Sequence, residues 1–163
     1  MPRVPIRRKE QDMPVWKWID LPPVWLLLFI SLSWIQATRL PVRQIDHPVT
    51  DLLSGLLIGG GVLLMAVAVV QMRQHHTTFI PHRHASFLVT NGVFSRSRNP
   101  IYLGDAMVLL GFILHWSAWP SLVLVPLFMW VITDRFISEE ERWLREDFGP
   151  EFAQWSQKTR RWL

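Results

Sequence analysis

The chain has 163 residues, half of them hydrophobic and only 18% charged, with a formal net charge of +4 and no cysteine. That length suits one domain, and the missing cysteines exclude disulfides, thiol nucleophiles and Cys-ligated metals. A positive balance points to nucleic acid only when the basic residues share one soluble face; here they flank apolar blocks, which is a topology signal, so no nucleic-acid partner is expected.

In chain order, residues 1–20 are basic and tryptophan-bearing (Arg3, Arg7, Arg8, Lys9, Lys17, Trp16 and Trp18). They read as a disordered tail leading into an interfacial anchor, because cationic and aromatic side chains both favour the headgroup layer. No charge occurs between Leu21 and Thr38, which predicts a first span over about 22–38. Uncharged apolar runs of about 18 or more residues match a ~30 Å hydrocarbon core. Pro22 and Pro23 at its start, and the lack of a small-residue cleavage site, argue against a secretory signal. The link Arg39 to Asp51 contains Pro41 and Pro48 and reads as a short turn. Leu52 to Met72 is again free of charge and predicts a second span over about 52–72.

From Asn99 to Thr133 the only charge is Asp105. This stretch is too long for one span. His115, Trp116 and Trp119 ahead of Pro120 mark an interfacial turn, which divides it into a short helix over about 101–115 and a longer one over about 119–137. Pro126 is expected to kink the second, as membrane helices tolerate. Three such blocks leave too little polar sequence to cover them in water. With the N-terminus inside, all of the 17 Lys and Arg residues except Arg39 and Arg43 fall on the cytoplasmic side, which favours four spans with both termini cytoplasmic. Residues 138–163 are too polar for a fifth span. They read as a helix, a break at Gly149-Pro150, and a second helix, with Leu144, Phe148, Phe152 and Trp155 at helical spacing in an amphipathic segment. The fold class is therefore all-α integral membrane, with about four transmembrane helices and a cytoplasmic C-terminal amphipathic segment.

Two polar clusters then share the cytoplasmic side. The loop 73–100 carries His75, His76, His82, His84, Arg83, Arg96, Arg98 and Asn99. Four histidines in so short a stretch suggest a metal, but helical metal sites pair His at i and i+4 with a supporting carboxylate, and no Asp or Glu lies between Gln71 and Gly104. No metal site is expected. Asn91-Gly92 is a turn signal. Arg98-Asn99-Pro100 reads as an extended approach to a helix that Pro100 opens, and free N–H groups at that helix start, beside Arg96 and Arg98, suit an anionic group. The other cluster is Glu139-Glu140-Glu141. Neighbours on a helix point about 100° apart, so at most two can serve one pocket, where they would hold a cationic group. The alternative is that they only complement the macrodipole of a first turn.

The segment LVTNGVFSRSRNPIYLG (Leu88–Gly104), followed by EERWLREDFG and a basic-aromatic RRWL tail, resembles the isoprenylcysteine carboxyl methyltransferase and phospholipid methyltransferase family. The resemblance covers roughly residues 75–163 of a single domain spanning 1–163. It implies an integral membrane enzyme that uses S-adenosyl-L-methionine and methylates a lipophilic or membrane-embedded acceptor (a carboxylate, an amine or a phospholipid headgroup), with the site facing the cytoplasm of a bacterial-type inner membrane. It also implies residue roles. Leu88 and Val89 match the strand-like stretch along the cofactor, and Phe94 matches the aromatic position after the glycine turn. Asn99, Pro100 and Tyr102 match an Arg-His-Pro-x-Tyr element. Glu140 and Glu141 match the acidic pair, the first as partner of the cofactor's amino group. The implied catalytic residues are Arg98, Asn99, Tyr102 and Glu140; the implied cofactor-binding residues are Leu88, Val89, Phe94, Asn99, Pro100, Tyr102, Glu140 and Glu141. Further contacts are implied near Gln74 to Thr78. The prenylcysteine enzymes differ in carrying histidine at Ser86, tyrosine at Phe94, and at Phe136 a substrate-carboxylate arginine for which only the neighbouring Arg135 could substitute. Where an amine is the acceptor, His75 and His76 are candidate bases. The competing readings are an NADPH-dependent membrane reductase of the sterol-reductase kind, whose usual Lys-Tyr-Gly is here Asp147-Phe148-Gly149, and a non-catalytic membrane protein of the same fold.

Overall fold

The computed structural model describes residues 20–40, 47–75 and 87–163. The expected N-terminal anchor, the 41–46 link, and His76, His82, His84 and Ser86 lie outside the described residues.

Helix α1 (Pro22–Arg39) starts on a proline, whose fixed φ and missing N–H suit a first turn. Helix α2 (Pro48–Gln74) begins four residues before its charge-free run. Three features carry it back: Pro48 at its first position, the His47 Nδ1 accepting from Val49 N–H at 3.2 Å, and Asp51 in the first turn, where the macrodipole favours negative charge. Helix α3 (Pro100–His115) runs antiparallel to α2, and the two backbones touch. A Cβ on Gly61 would lie 2.6 Å from the Gly104 carbonyl oxygen, and one on Gly104 would lie 2.7 Å from the Gly61 carbonyl oxygen. Lipid is as apolar as leucine, so spanning helices associate through such close contact rather than by expelling water.

The turn expected near 115 is present. Ser117 adopts φ 49°, with Ala118 N–H bonding Ile113 O and Ser117 N–H bonding Leu114 O. This is a Schellman closure made without its usual glycine. A 3₁₀ turn (Trp119–Val123) leads into α4 (Leu124–Ile132). The expected kink at Pro126 is not found: the α-helix proper begins at Leu124, so Pro126 falls in its first turn, where no N–H is required. The irregularity lies further on, in a π-helical turn (Thr133–Ile137) that joins α4 to α5 (Ser138–Lys158). Gly149 (φ 43°, ψ −111°) divides α5, and Pro150 opens its second half.

All regular structure among the described residues is helical. Two stretches are long and apolar enough to cross a membrane, Pro48–Gln74 and the continuous run Trp119–Lys158, and α3 is a shorter apolar helix. Large apolar side chains face outward along them, including Leu56, Leu63 and Trp130, all at least 60% exposed. Such a surface is an aggregation liability in water and the natural one in lipid. Inside, Phe29 meets Phe128 edge-on at 5.4 Å within a core that includes Leu109, Ile113, Ile132 and Phe136. A second apolar cluster (Ala68, Leu88, Val89, Phe94, Phe152 and Trp155) gathers residues remote in sequence around the 88–104 segment.

Candidate active site

The 88–104 segment is shaped first by its backbone. Leu88 and Val89 are buried in a stretch without regular secondary structure. Gly92 then turns with φ 57°, and a Cβ there would collide with the Gln71 side chain, whose Oε1 accepts from Val93 N–H at 3.1 Å. A 3₁₀ turn (Gly92–Ser95) delivers Phe94 to the interior. Trp155 Nε1 donates to the Phe94 carbonyl at 3.1 Å. Ser97 Oγ accepts from Asn99 N–H at 3.1 Å, and Pro100 opens α3 with no side chain capping its first N–H groups.

The tail closes over this segment from the other end of the chain. Arg98 N–H donates to Arg160 O at 3.0 Å, and Asn99 Nδ2 donates to Arg161 O at 2.9 Å. Arg98 Nη1 reaches Ser156 O at 3.0 Å, and its Nη2 pairs with Glu141 Oε1 at 2.8 Å. Arg161 grips the same carboxylate with Nε at 3.0 Å and Nη2 at 2.6 Å. Glu141 is thus a buried carboxylate between two guanidinium groups. Burial opposes its charge, but the hydrogen bonds from Arg161 and the charges of Arg98 and Arg161 hold it below the usual carboxylate range.

Glu140 is placed differently. Its Oε1 accepts from the Tyr102 hydroxyl at 2.7 Å, and no cation pairs with it among the described residues. Burial pushes its carboxyl up to about 7; the Tyr102 hydrogen bond opposes this, and the charges of Glu139 and Glu141 add to it. Glu139 turns away to Arg142 at 3.4 Å.

These groups surround a cavity of about 450 Å³. Leu88, Val89, Phe94, Arg98, Asn99, Pro100, Tyr102, Glu140 and Glu141 all line it, so the catalytic and cofactor-binding residues that the resemblance implies meet in one place. Within it Glu141 and Asn99 are engaged with the tail rather than free, and Arg96 is exposed outside it. His75 is absent from the lining and stacks on Phe87 at 5.1 Å. Arg135 points elsewhere too, pairing with Asp20 at 2.9 Å and lying over the Trp25 ring, and Phe136 is core. Sequence reasoning missed other parts of the lining, among them Leu21 to Pro23 at the start of α1, Met65, Val69 and Met72 of α2, and Asp105 of α3. Only Asp105 carried a signal, as a lone charge in a long apolar run. No group of His, Asp and Glu suited to a metal occurs among the described residues.

A mainly apolar cleft with a few convergent polar groups at one end of a helix bundle is the usual form of a small-molecule site, and the apolar outer surface makes its bearer a membrane protein. The sequence profile described as phospholipid methyltransferase matches residues 49–151. The chain belongs to that family, and is a methyltransferase with a lipid-related substrate. No curated protein and no solved structure matches it.

Proposed function

We propose that the protein transfers a methyl group from S-adenosyl-L-methionine to a lipophilic acceptor that reaches the cavity from the bilayer. The observation that carries this reading is the uncompensated Glu140, held by Tyr102 inside an apolar cleft, because that donor presents an ammonium group and a sulfonium. Glu140 takes the ammonium through a charge-assisted hydrogen bond. The donor's carboxylate suits the uncapped N–H groups at the start of α3 and the Arg98 Nε, which is buried with no acceptor. Leu88, Val89, Phe94 and Tyr102 form the apolar wall. Arg98, Asn99, Tyr102 and Glu140 act by holding and aligning the donor. Methyl transfer is an in-line displacement, and alignment of this kind can supply roughly 7–11 kcal/mol.

The charge balance counts against a reductase. Among the described residues lining the cavity Arg98 is the one cation, and its Nη2 is already paired with Glu141, which gives little support to binding the extra phosphate of NADPH.

The same reading gives α1, α2, α3 and α4 as four spans of one domain, with both termini and the cavity on the cytoplasmic side. The start of α1, the end of α2, the start of α3 and the start of α5 all reach the cavity, which supports that up-and-down path. Calorimetric titration of the purified protein tests the proposal. S-adenosyl-L-methionine is expected to bind and NADPH not to bind, and Glu140→Gln is expected to weaken donor binding roughly 10- to 100-fold, the loss of one hydrogen bond to a charged group. Binding of NADPH alone would refute it.

A further inference from the structure

Among the described residues, three carboxylates and one cation line the cavity. Arg98, with Arg161 behind it, neutralises Glu141. On the reading above, Glu140 serves the donor's ammonium. Asp105 remains. It is 5% exposed and lines the cavity, yet it has no hydrogen-bond or ion-pair partner among the described residues. It lies three residues beyond Tyr102 on α3, about 4.5 Å further along the axis, within electrostatic reach of the Tyr102 hydroxyl that binds Glu140. A buried, unpaired carboxylate costs several kcal/mol, and ionisable groups among spanning helices usually mark a site that something else completes. The apolar run around it, from Asn99 to Thr133, supplies no other charge. The basic residue best placed to receive an anionic acceptor, Arg135, is turned outward to Asp20.

We propose that Asp105 is the acceptor-side residue of the site: it pairs with the ammonium of an amine-bearing lipid and takes its proton. This rests on the methyltransferase reading and adds to it the residue that receives the acceptor. One N–H proton passes to the Asp105 carboxylate, freeing the nitrogen lone pair. That pair forms the new N–C bond with the donor's methyl group as the S–C bond breaks, and the S–C electrons stay on sulfur as a neutral thioether. The proton leaves Asp105 to water after the product departs. Two carboxylates with two cationic clients account for both uncompensated acids, and an anionic acceptor would face Asp105 with no unpaired cation among the described lining residues to meet it.

The test measures binding in detergent without turnover, through the fluorescence of Trp143 and Trp155, both of which line the cavity. The probes are decylamine, decanol and decanoate, equal in chain length, with empty micelles subtracted. Decylamine is expected to bind the native protein at least tenfold more tightly than decanol, and decanoate more weakly than either. Asp105→Asn is expected to erase the preference for decylamine while keeping its affinity for S-adenosyl-L-methionine, which serves as the fold control. Asp105→Glu is expected to restore part of the preference. With labelled donor, dioctanoyl phosphatidylethanolamine and free decylamine as alternative acceptors separate a headgroup from a simple amine, and loss of transfer to both in Asp105→Asn is expected. An unchanged decylamine preference in Asp105→Asn, or tighter binding of decanoate, overturns the proposal. Failure of the native protein to bind S-adenosyl-L-methionine instead overturns the methyltransferase reading, whatever the amines do.

Discussion

The two ends of the cavity are built on opposite principles. Toward the tail, polar ties join residues some sixty positions apart: Arg98 to Ser156, Asn99 to Arg161 and Trp155 to Phe94. Within the bundle, α2 and α3 meet through bare backbone at Gly61 and Gly104, and the Ser121 hydroxyl donating to Gln36 Oε1 links α1 to the turn before α4. The difference shows how a small membrane protein divides its work. Hydrogen bonds fix the polar half, where water competes and specific pairing is needed to define one geometry. Steric fit fixes the apolar half, where water is absent and any unpaired polar group is expensive. A lone acid in the second region therefore stands out more than three acids in the first.

The largest expected effect falls on the tail-side clamp. Glu141→Ala leaves Arg98 and Arg161 facing each other without their anion, and removing one partner of a buried pair costs about 3–5 kcal/mol. Thermal unfolding in detergent should show a markedly lower midpoint, and donor affinity should fall with it. An unchanged midpoint would mean that the tail is not what holds the 94–99 segment. Next is the bundle. Gly104→Ala forces α2 and α3 apart, and overpacking of this kind costs about 1–3 kcal/mol. It should lower the unfolding midpoint while leaving the pH dependence of donor binding as it was. A variant as stable as the native protein would refute backbone contact as the basis of that joint.

The smallest effect, and the sharpest contrast between neighbours, concerns pH. Glu140 has a folded value near 7 against an ordinary value of 4.5. Its carboxyl holds a proton in the folded state that it would lose in the unfolded one, so its contribution to stability falls as pH rises from about 4.5 to 7. Donor affinity should run the other way, rising by about tenfold at most between pH 6 and 8 as Glu140 ionises. Glu140→Gln should flatten that profile and leave the empty protein at least as stable above pH 7. Glu141 has the opposite sign. Its folded value is lowered, so its stabilisation is complete above its ordinary value and is lost only as pH falls through the folded one. A calorimetric series across pH separates the two.

Much of this was legible in the sequence because the signals were local. Charge-free runs set the helices, Pro22 and Pro100 set two of their starts while Pro48, read as part of a link, opens α2, and Asn91-Gly92 set the turn that exposes the 88–104 segment to its partners. The match of that segment and the acidic pair to a family named the residues that the structure brings to one cavity. What was not legible depends on three-dimensional partners. Nothing local says that Asn99 serves the Arg161 carbonyl or that Arg135 turns to Asp20. The first turns of α1 and the last turns of α2 line the cavity with leucine, proline, valine and methionine, which read as ordinary membrane residues. Pro126 misled for a related reason: a proline breaks a helix only when it lies inside one, and the preceding 3₁₀ turn moved the helix start to within two residues of it.

The π-helical turn at Thr133–Ile137 has a consequence for the acidic pair. Such a turn holds one more residue than an α-turn, marked here by the Ser138 backbone N–H reaching back five positions to Thr133 O. It therefore acts as a phase shifter, rotating everything downstream by about 100° relative to an unbroken α-helix. In the phase it sets, Glu140 meets Tyr102 and Glu141 meets the two arginines, while Glu139 faces away. Wound instead as an unbroken α-helix, the same residues would be dealt out one place late, with Glu139 where Glu140 now meets Tyr102 and Glu140 where Glu141 now meets the arginines. Which acid meets the tyrosine and which meets the arginines is thus set partly by the winding of a segment that does not itself line the cavity.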